Sequence, residues 1–469
     1  MTVGNGLVSG THSSKGGPCW YEPYEGNHVM EQRFLPGMSP GLVRVAEAAQ
    51  RNPGRLLALA HHIDVEALRR AYKRIRKNAA VGVDEVTLED YGKDLEENLQ
   101  DLHHRLKTMR YRHQPIRRVH IDKEDGKKRP IGVSTVEDKI VQGALSELLQ
   151  VIYEQDFLDC SYGFRPGRNP HDALRALDQT AHRGEVNWVL DADIVSFFDR
   201  IDRKQLKELL QKRLADKSLM RLIGKCLHVG VLESGAILSP ETGTVQGSVL
   251  SPLLANVYLH HVLDLWFEHE VKRRLSGKAL LLRFADDFLI GFERKEDAEK
   301  VREVLEKRLA KYGLELHPDK TRLVDFRRPP LDHQGPGPET FDFLGFTILW
   351  KRSRKSRKGW HMGTHTRVTR LRRAQKAAHE WCRRQRHQPV KEQHAALVSK
   401  VQGHINYFGL RGNERRLHRL IRSVERSWHK WLNRRSQRSK MTWERFRRML
   451  KDYPLPTPKA PKAIWGVTS

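Results

Sequence analysis

The segment RFADDFLIGF, residues 283–292, sets two adjacent aspartates between apolar and aromatic residues that predict a buried β-hairpin. Two carboxylates about 4 Å apart repel each other by roughly 4 kcal/mol at the effective dielectric of a partly buried site. A fold that keeps such a pair needs a protonated partner, a basic side chain or a bound divalent cation. The hairpin therefore marks a candidate site, and the rest of the chain decides between these compensations.

A second acidic segment, NWVLDADIVSFFDRID, covers residues 187–202 and predicts an apolar strand interrupted by Asp191 and Asp193. Both carboxylates point to one face because side chains alternate along a strand, so this pattern does not separate them. If the strand lies beside the hairpin, one carboxylate from each holds two Mg²⁺ ions, with Mn²⁺ as a substitute. The predicted reaction class is phosphoryl transfer.

The composition predicts a polyanionic partner. The 469 residues include 85 Lys and Arg against 57 Asp and Glu, which gives a formal charge of +28. Nucleic acid is the first candidate partner and an acidic membrane surface the second. Because no apolar stretch of about 18 residues and no signal peptide is apparent, we expect a cytoplasmic protein of roughly two to four domains. The four cysteines are scattered singly, which favours neither a zinc site nor a disulfide framework.

The chain divides into three predicted regions. Residues 1–38 are rich in Gly, Ser and Pro and predict a flexible extension. Residues 39–350 mix helical and strand patterns, including a hairpin over 116–133 and a helix over 296–312. On that helix the predicted buried face holds five residues: Ala298, Val301, Val304, Leu305 and Leu309. Residues 351–469 are basic and helical, with sixteen Lys or Arg and two Glu in 351–400.

Consecutive blocks of the chain resemble those of group II intron-encoded reverse transcriptases. The tail segments GHINYFG (403–409) and 434–456 are similar to the maturase (X) domain of that family. The resemblance covers nearly the whole chain from about residue 40. It is carried by seven blocks in family order: GKKRPIGVSTVEDKIVQGAL (126–145), CSYGFRPGRNPHDAL (160–174), DADIVSFFDRID (191–202), TGTVQGSVLSPLLANVYLHHVLDLWF (242–267), RFADDF (283–288), HPDKTRLVDF (317–326) and FDFLGF (341–346).

This resemblance implies an α+β right-hand polymerase. Fingers and a ferredoxin-like palm span 39–350, and a mainly helical thumb or maturase domain spans 351–469. Asp193 is implied as the first metal ligand, assisted by the Ile194 carbonyl, with Asp286 as the second ligand and Asp287 in support. The family block favours Asp193 over its rival Asp191.

The family also implies contacts to the nucleotide. Phe198 falls where the family has an aromatic gate that a ribose 2′-hydroxyl would strike; the alternative is a core aromatic like Phe197. Gln246 matches the glutamine of the nucleotide-binding loop. Lys123 and Arg129 match triphosphate-binding positions on a hairpin, or are simply solvated. Lys320 is a candidate proton donor to pyrophosphate, although a lysine on a turn is usually just solvated.

The FLGF segment, Phe343, Leu344, Gly345 and Phe346, resembles the primer grip that positions the primer end, or equally a hairpin core. In the basic region, Trp428 and Trp431 are predicted core residues, while the clusters at 351–358 and 383–386 are predicted to meet phosphate.

The function implied is RNA-directed DNA synthesis on an intron RNA template, primed by a DNA target and using dNTPs. The protein would also promote splicing and intron mobility, in the cytoplasm and on the nucleoid when bound to DNA. No His or Cys ligands follow the tail, so no endonuclease domain is expected. The alternatives are a reverse transcriptase recruited to a host function such as antiphage defence, and an RNA-binding splicing cofactor without polymerase activity.

Overall fold

A computed structural model describes residues 38–122, 128–233, 236–238, 247–333, 337–352, 359–436 and 440–458. The described helices and strands together form an α+β fold, as predicted. The helices are α1 (Pro40–Arg51), α2 (Val65–Arg74), α3 (Leu88–Lys93), α4 (Leu95–Lys107), α5 (Val136–Tyr153), α6 (Pro170–His182), α7 (Phe197–Arg200), α8 (Arg203–Gln211), α9 (Lys217–Leu227), α10 (Ser251–Leu259), α11 (Lys295–Ala310), α12 (Val368–Arg384), α13 (Val390–Phe408), α14 (Glu414–Leu432) and α15 (Trp443–Asp452). The strands are β1 (Ile116–Asp122), β2 (Lys128–Val133), β3 (Trp188–Ala192), β4 (Val231–Glu233), β5 (Ala236–Leu238), β6 (Ala279–Phe284), β7 (Asp287–Phe292), β8 (Arg322–Asp325), β9 (Phe341–Phe343), β10 (Phe346–Arg352) and β11 (Trp360–Thr366).

The central sheet is antiparallel, with strand order β6-β7-β3-β8. Along the chain its strands are separated by helices α7 to α10, then by the tight β6–β7 turn, then by α11. This succession is that of a βαββαβ unit, in which the first strand lies in the middle of the sheet. The two acidic segments of the sequence therefore lie on neighbouring strands, β3 and β7.

Both faces of the central sheet are buried. Leu190 and Phe288 pack on one side against a core that includes α5, α10 and α11. Val189 and Leu289 pack on the other side against α6 and the β9–β10–β11 sheet. Because side chains alternate in facing along a strand, Asp191 and Asp193 share the face of Val189. The carboxylates thus belong to the face that is covered by β9 to β11.

Helix α11 follows the predicted pattern with one exception. Ala298, Val301, Leu305 and Leu309 are buried, whereas Val304 is 43% exposed, so its predicted burial was wrong. The helix ends before Gly313, which has a left-handed φ of 71° as expected for a helix end.

A second sheet has the order β2-β1-β4-β5 and is mixed, because β1 and β4 are parallel. It contains the predicted 116–133 hairpin. The predicted domain boundary after residue 350 falls within β10, which pairs with β11 along its whole length.

The basic C-terminal region from α12 to α15 encloses a small apolar core of its own. Trp428 is fully buried there beside Phe446, and Trp431 packs on this core while half-buried. No helix in the described ranges is both long and apolar enough to cross a bilayer.

Candidate active site

The β6–β7 turn presents the two adjacent aspartates. Phe284 pairs with Asp287, which leaves Ala285 and Asp286 as the two turn residues. Ala285 has a φ of 59°, as a tight two-residue hairpin requires of its first turn residue. Asp286 is therefore held at the tip, and Asp287 begins β7 with its side chain open to solvent.

Strand β3 brings Asp193 to the same end of the sheet. Ala192 is opposite Phe288 in the β3–β7 register, so the next residue, Asp193, falls opposite Asp287. Directly opposed residues of an antiparallel pair lie on the same face. Asp193 and Asp287 are 94 positions apart in sequence, yet the register makes them neighbours.

The electrostatics record this convergence. Desolvation, then the charges of Asp286, Asp191 and Asp193, raise the pKa of Asp287 to about 7. The Asp287 side chain is open to the cleft, and the repulsion from the carboxylates around it does not depend on complete burial. Desolvation raises the pKa of Asp191 to about 6, against the lowering effect of Arg322. The site holds more negative charge than its neighbours neutralise.

Two cations of the 317–322 segment contact these carboxylates. Lys320 Nζ lies 2.6 Å from Asp193 Oδ2, and Arg322 Nε lies 3.5 Å from Asp191 Oδ2. The segment is placed by backbone pairing, because His317 N–H donates to the Asp193 carbonyl at 2.7 Å. Lys320 is thus brought to the site by the bridge between Ile194 and Leu316.

The donor set suits a hard divalent cation. The acidic side chains at this end of the sheet offer carboxylate oxygens, which Mg²⁺ prefers, and desolvation together with neighbouring carboxylates raises the pKa values of Asp191 and Asp287. Among the described residues, no three His, Cys, Asp or Glu side chains already converge closely enough to hold an ion. The Lys320 ammonium supplies positive charge beside Asp193 instead.

A buried polar network supports the turn from below. Arg283 is fully buried; its guanidinium donates to Asp264 at 2.7 and 2.5 Å and to the Ala285 carbonyl at 3.1 Å. Asn256 Oδ1 and Ser161 Oγ accept two further bonds from Arg283. Sequence reasoning missed this network, since it counted Arg283 as part of a hairpin and saw no partner for it.

Gly163 gives the turn its room. A Cβ at this position would lie 2.3 Å from the Ala285 nitrogen, a distance that no side chain tolerates. The Gly163 carbonyl accepts from Asn256 Nδ2 at 2.7 Å, which ties this segment to the same network. The block CSYGFRPG therefore supports the aspartate turn directly.

A cleft of about 1060 Å³ opens over Asp286 and Asp287 and extends to the basic C-terminal helices. Phe198 lines it, whereas Phe197 is buried and makes an edge contact with Phe198 at 5.4 Å between ring centroids. Gly247 also lines the cleft, with a φ of 104°. A Cβ at this position would lie 2.6 Å from the Gly132 carbonyl oxygen, so a larger residue does not fit.

The FLGF segment forms a second tight turn beside the aspartates. Phe343 and Phe346 pair across it and are buried. Leu344 and Gly345 are the turn residues, with φ of 52° and 78°, and both line the cleft. The Leu344 backbone N–H faces the Asp287 carboxylate closely enough to oppose the rise of its pKa.

Three predicted nucleotide contacts have no described side-chain position. Lys123 and Gln246 lie outside the described residues. Arg129 belongs to β2, opposite Ile121, and its side chain is not described.

On the basic C-terminal region, four exposed arginines follow one face of α14. Spaced by four, three and four residues, they surround a groove with Glu425 and Trp443. None of the four pairs with an acidic side chain among the described residues. Leu420 and Val424, on the other side of α14, line the aspartate cleft. We call the four exposed arginines the outer arginine row: Arg415, Arg419, Arg422 and Arg426.

Comparison with known proteins gives the class first. Residues 121–348 match the family model described as reverse transcriptase (RNA-dependent DNA polymerase), and this range contains the β3, β6–β7 and FLGF segments.

The relatives narrow that class. The chain is 34% identical to Protein YkfC of Escherichia coli K12 over 306 residues, which is 58% of this chain and 77% of that protein. It is 31% identical to the group II intron-encoded protein LtrA of Lactococcus lactis over 316 residues, 55% of this chain and 51% of LtrA. The mitochondrial nuclear intron maturase 1 of Arabidopsis thaliana matches at 32% over 91 residues, 19% of this chain and 12% of that protein. The chain belongs to the group II intron reverse transcriptase/maturase family.

Proposed function

We propose that this reverse transcriptase copies a group II intron RNA into DNA from a DNA primer and also binds that RNA to promote splicing and mobility. The observation that carries the proposal is the strand register, which sets Asp193 opposite Asp287 and next to the Asp286 turn at the edge of a long cleft. In the reaction, the primer 3′-hydroxyl loses its proton and its oxygen bonds to the α-phosphorus of the dNTP. The bond between that phosphorus and the oxygen bridging to the β-phosphate breaks, and pyrophosphate leaves.

We propose that Asp193, the Ile194 carbonyl, Asp286 and Asp287 hold Mg²⁺, or Mn²⁺ in its place. When bound, such ions neutralise the charge that develops on the attacking and leaving oxygens. The raised pKa of Asp287 supports this assignment, since the charges of Asp286, Asp191 and Asp193 add to the effect of desolvation. Lys320, 2.6 Å from Asp193, is placed to give a proton to the departing pyrophosphate.

Nucleotide selection follows from the cleft wall. We assign Phe198 to the sugar gate because it faces the cleft beside the aspartates, whereas Phe197 fills the core. We propose that Lys123 and Arg129, from the β1–β2 hairpin, hold the triphosphate. We propose that Gln246, in the segment before Gly247, contacts the nucleotide. Gly247 supports the loop assignment, since it packs against Ile131 and Gly132 of β2.

The right-hand description also belongs to this proposal. We assign the helices from α1 and the β1–β2 hairpin to the fingers, and the central sheet to a ferredoxin-like palm. The FLGF turn is assigned to the primer grip. The helices from α12 onward are assigned to the thumb or maturase domain. Because β10 and β11 pair across residue 351, we place the start of the thumb after Thr366 rather than at 351.

Intron RNA is the proposed partner of the outer arginine row. Four exposed guanidinium groups on one helix face, without an ion pair among the described residues, favour phosphate, and the exposed Trp443 offers a ring for base stacking. One side of that ring is already covered by His429, whose ring lies 3.9 Å away at 17°. A preformed stacking surface of this kind suits single-stranded RNA.

The deciding experiment compares Asp286→Ala with Asp319→Ala, which removes an exposed aspartate near the site. Primer extension on an RNA template should be lost in Asp286→Ala and retained in Asp319→Ala. Affinity for intron RNA should be retained in both variants, because the outer arginine row and Asp286 are separate surfaces. Loss of RNA affinity in a folded Asp286→Ala protein would contradict the proposal.

A further inference from the structure

The carbonyls of the Leu344–Gly345 turn are held by the C-terminal part of the chain. Tyr407 Oη, on α13, donates to the Leu344 carbonyl at 3.0 Å. The backbone N–H of Arg367, just before α12, donates to the Gly345 carbonyl at 2.9 Å. The proposed primer grip, Phe343 to Phe346, therefore depends on residues that follow it by 21 or more positions.

The opposite side of Leu344 contacts the active site. Leu344 and Asp287 line the same cleft, and the Leu344 backbone N–H lowers the pKa of Asp287, while the Leu344 carbonyl accepts a hydrogen bond from Tyr407. A single residue thus links a carboxylate of the active site to helix α13. With a φ of 52°, Leu344 has a left-handed backbone, which a leucine keeps only where its surroundings fix it.

Tyr407 is itself fixed from two directions. Its ring stacks on Phe346 with centroids 5.7 Å apart and planes at 15°. Its carbonyl accepts a hydrogen bond from His171 Nε2, on α6, at 2.7 Å. The hydroxyl is therefore aimed at the turn by contacts that do not involve the hydroxyl.

We propose that Tyr407 is a positioning residue that couples the docking of α13 to the placement of Asp287 and of the primer-grip turn. It acts through Leu344 and touches no reacting atom. The inference rests on the proposed function, because it takes Asp287 as part of the active centre. It also gives a role to the GHINYFG motif, which the proposed function leaves unused.

The test is Tyr407→Phe in the full-length protein, which removes the hydroxyl and keeps the stacked ring. One net hydrogen bond corresponds to a rate loss of about three- to tenfold. We expect the rate constant for single-nucleotide incorporation to fall by that factor on a preannealed RNA-template, DNA-primer duplex. The KM for dNTP and the Kd for the duplex should stay unchanged. Tyr72→Phe is the matched control, since Tyr72 Oη on α2 also donates to a backbone carbonyl, that of Leu88, at 3.0 Å.

A double-mutant cycle with Leu344→Gly tests the route of the effect. Glycine adopts a left-handed φ without strain, so the turn needs less support from Tyr407. Tyr407→Phe should therefore cost less in the Leu344→Gly background than in the wild type.

Three results would overturn the inference. These are an unchanged incorporation rate in Tyr407→Phe, an equal loss in both backgrounds, or weakened duplex binding, whether from a direct substrate contact or from a damaged fold. Wild-type protein that fails to extend any primer would refute the proposed function itself, which is a separate outcome.

Discussion

Replacing Asp287 with Asn should stabilise the metal-free protein at pH 8. Desolvation and the neighbouring carboxylates raise the pKa of Asp287 to about 7, so at pH 8 the folded state holds an ionised group that it disfavours. Asparagine keeps the shape of the side chain and removes that charge. The gain should appear as a higher free energy of unfolding in EDTA.

The magnitude follows from linkage. A shift from 3.8 to about 7 is about three pKa units, which bounds the effect at about 4 kcal/mol. Because the side chain is open to the cleft, solvent screening reduces the expected gain to about 1–2 kcal/mol.

The sign of the pH dependence is also fixed. Between pH 3.8 and about 7 the folded wild type binds more protons at Asp287 than the unfolded chain, so its stability falls as the pH rises through this window. The advantage of the variant is full above pH 7. It should be about half as large at pH 5.5 and absent below pH 3.8.

Urea unfolding at pH 8 and at pH 5.5, in EDTA, measures both numbers. Asp325→Asn is the control on strand β8 of the same sheet, where a hydrogen bond from Arg327 lowers the pKa of Asp325. That variant should lose a few tenths to about 1 kcal/mol, equally at both pH values. An Asp287→Asn protein no more stable than the wild type at pH 8 would refute the crowding of carboxylates at this site.

Three further changes test other parts of the site. Phe198→Ala should admit ribonucleotides, measured as the ratio of incorporation efficiencies for rNTP and dNTP; unchanged selectivity would remove Phe198 from the gate. Gly163→Ala should abolish most primer extension, because its Cβ would lie 2.3 Å from the Ala285 nitrogen; normal extension rates would show that the turn tolerates displacement. Arg419→Ala with Arg422→Ala should flatten the dependence of log Kd for intron RNA on log salt by about 0.7 per lost phosphate contact, whereas a double alanine variant of exposed lysines on α11 should not.

The sequence was sufficient for the pattern of the central sheet near the site. Alternation placed Asp191 and Asp193 on one face, and the apolar flanks of the two aspartates predicted the β6–β7 hairpin, because these signals are local. The register that sets Asp193 opposite Asp287 depends on a contact between strands distant in the chain, so no local pattern contains it.

Residues that act through distant partners escaped sequence reasoning for the same reason. Arg283 has its carboxylate partner, Asp264, on a π-helical turn that follows α10. Tyr407 meets Leu344 only after α13 has docked. The predicted burial of Val304 was wrong for a different reason. The helical period was right, but the core does not extend as far around α11 as Val304.

Helix α14 turns Leu420 and Val424 toward the aspartate cleft and turns the outer arginine row the opposite way. Under the proposed function, the first side serves DNA synthesis and the second side retains the enzyme on its own intron RNA. Neutralising the outer arginine row should release the enzyme to copy other templates without changing the residues that line the aspartate cleft. The two sides of helix α14 would therefore allow DNA synthesis and retention on RNA to be changed separately.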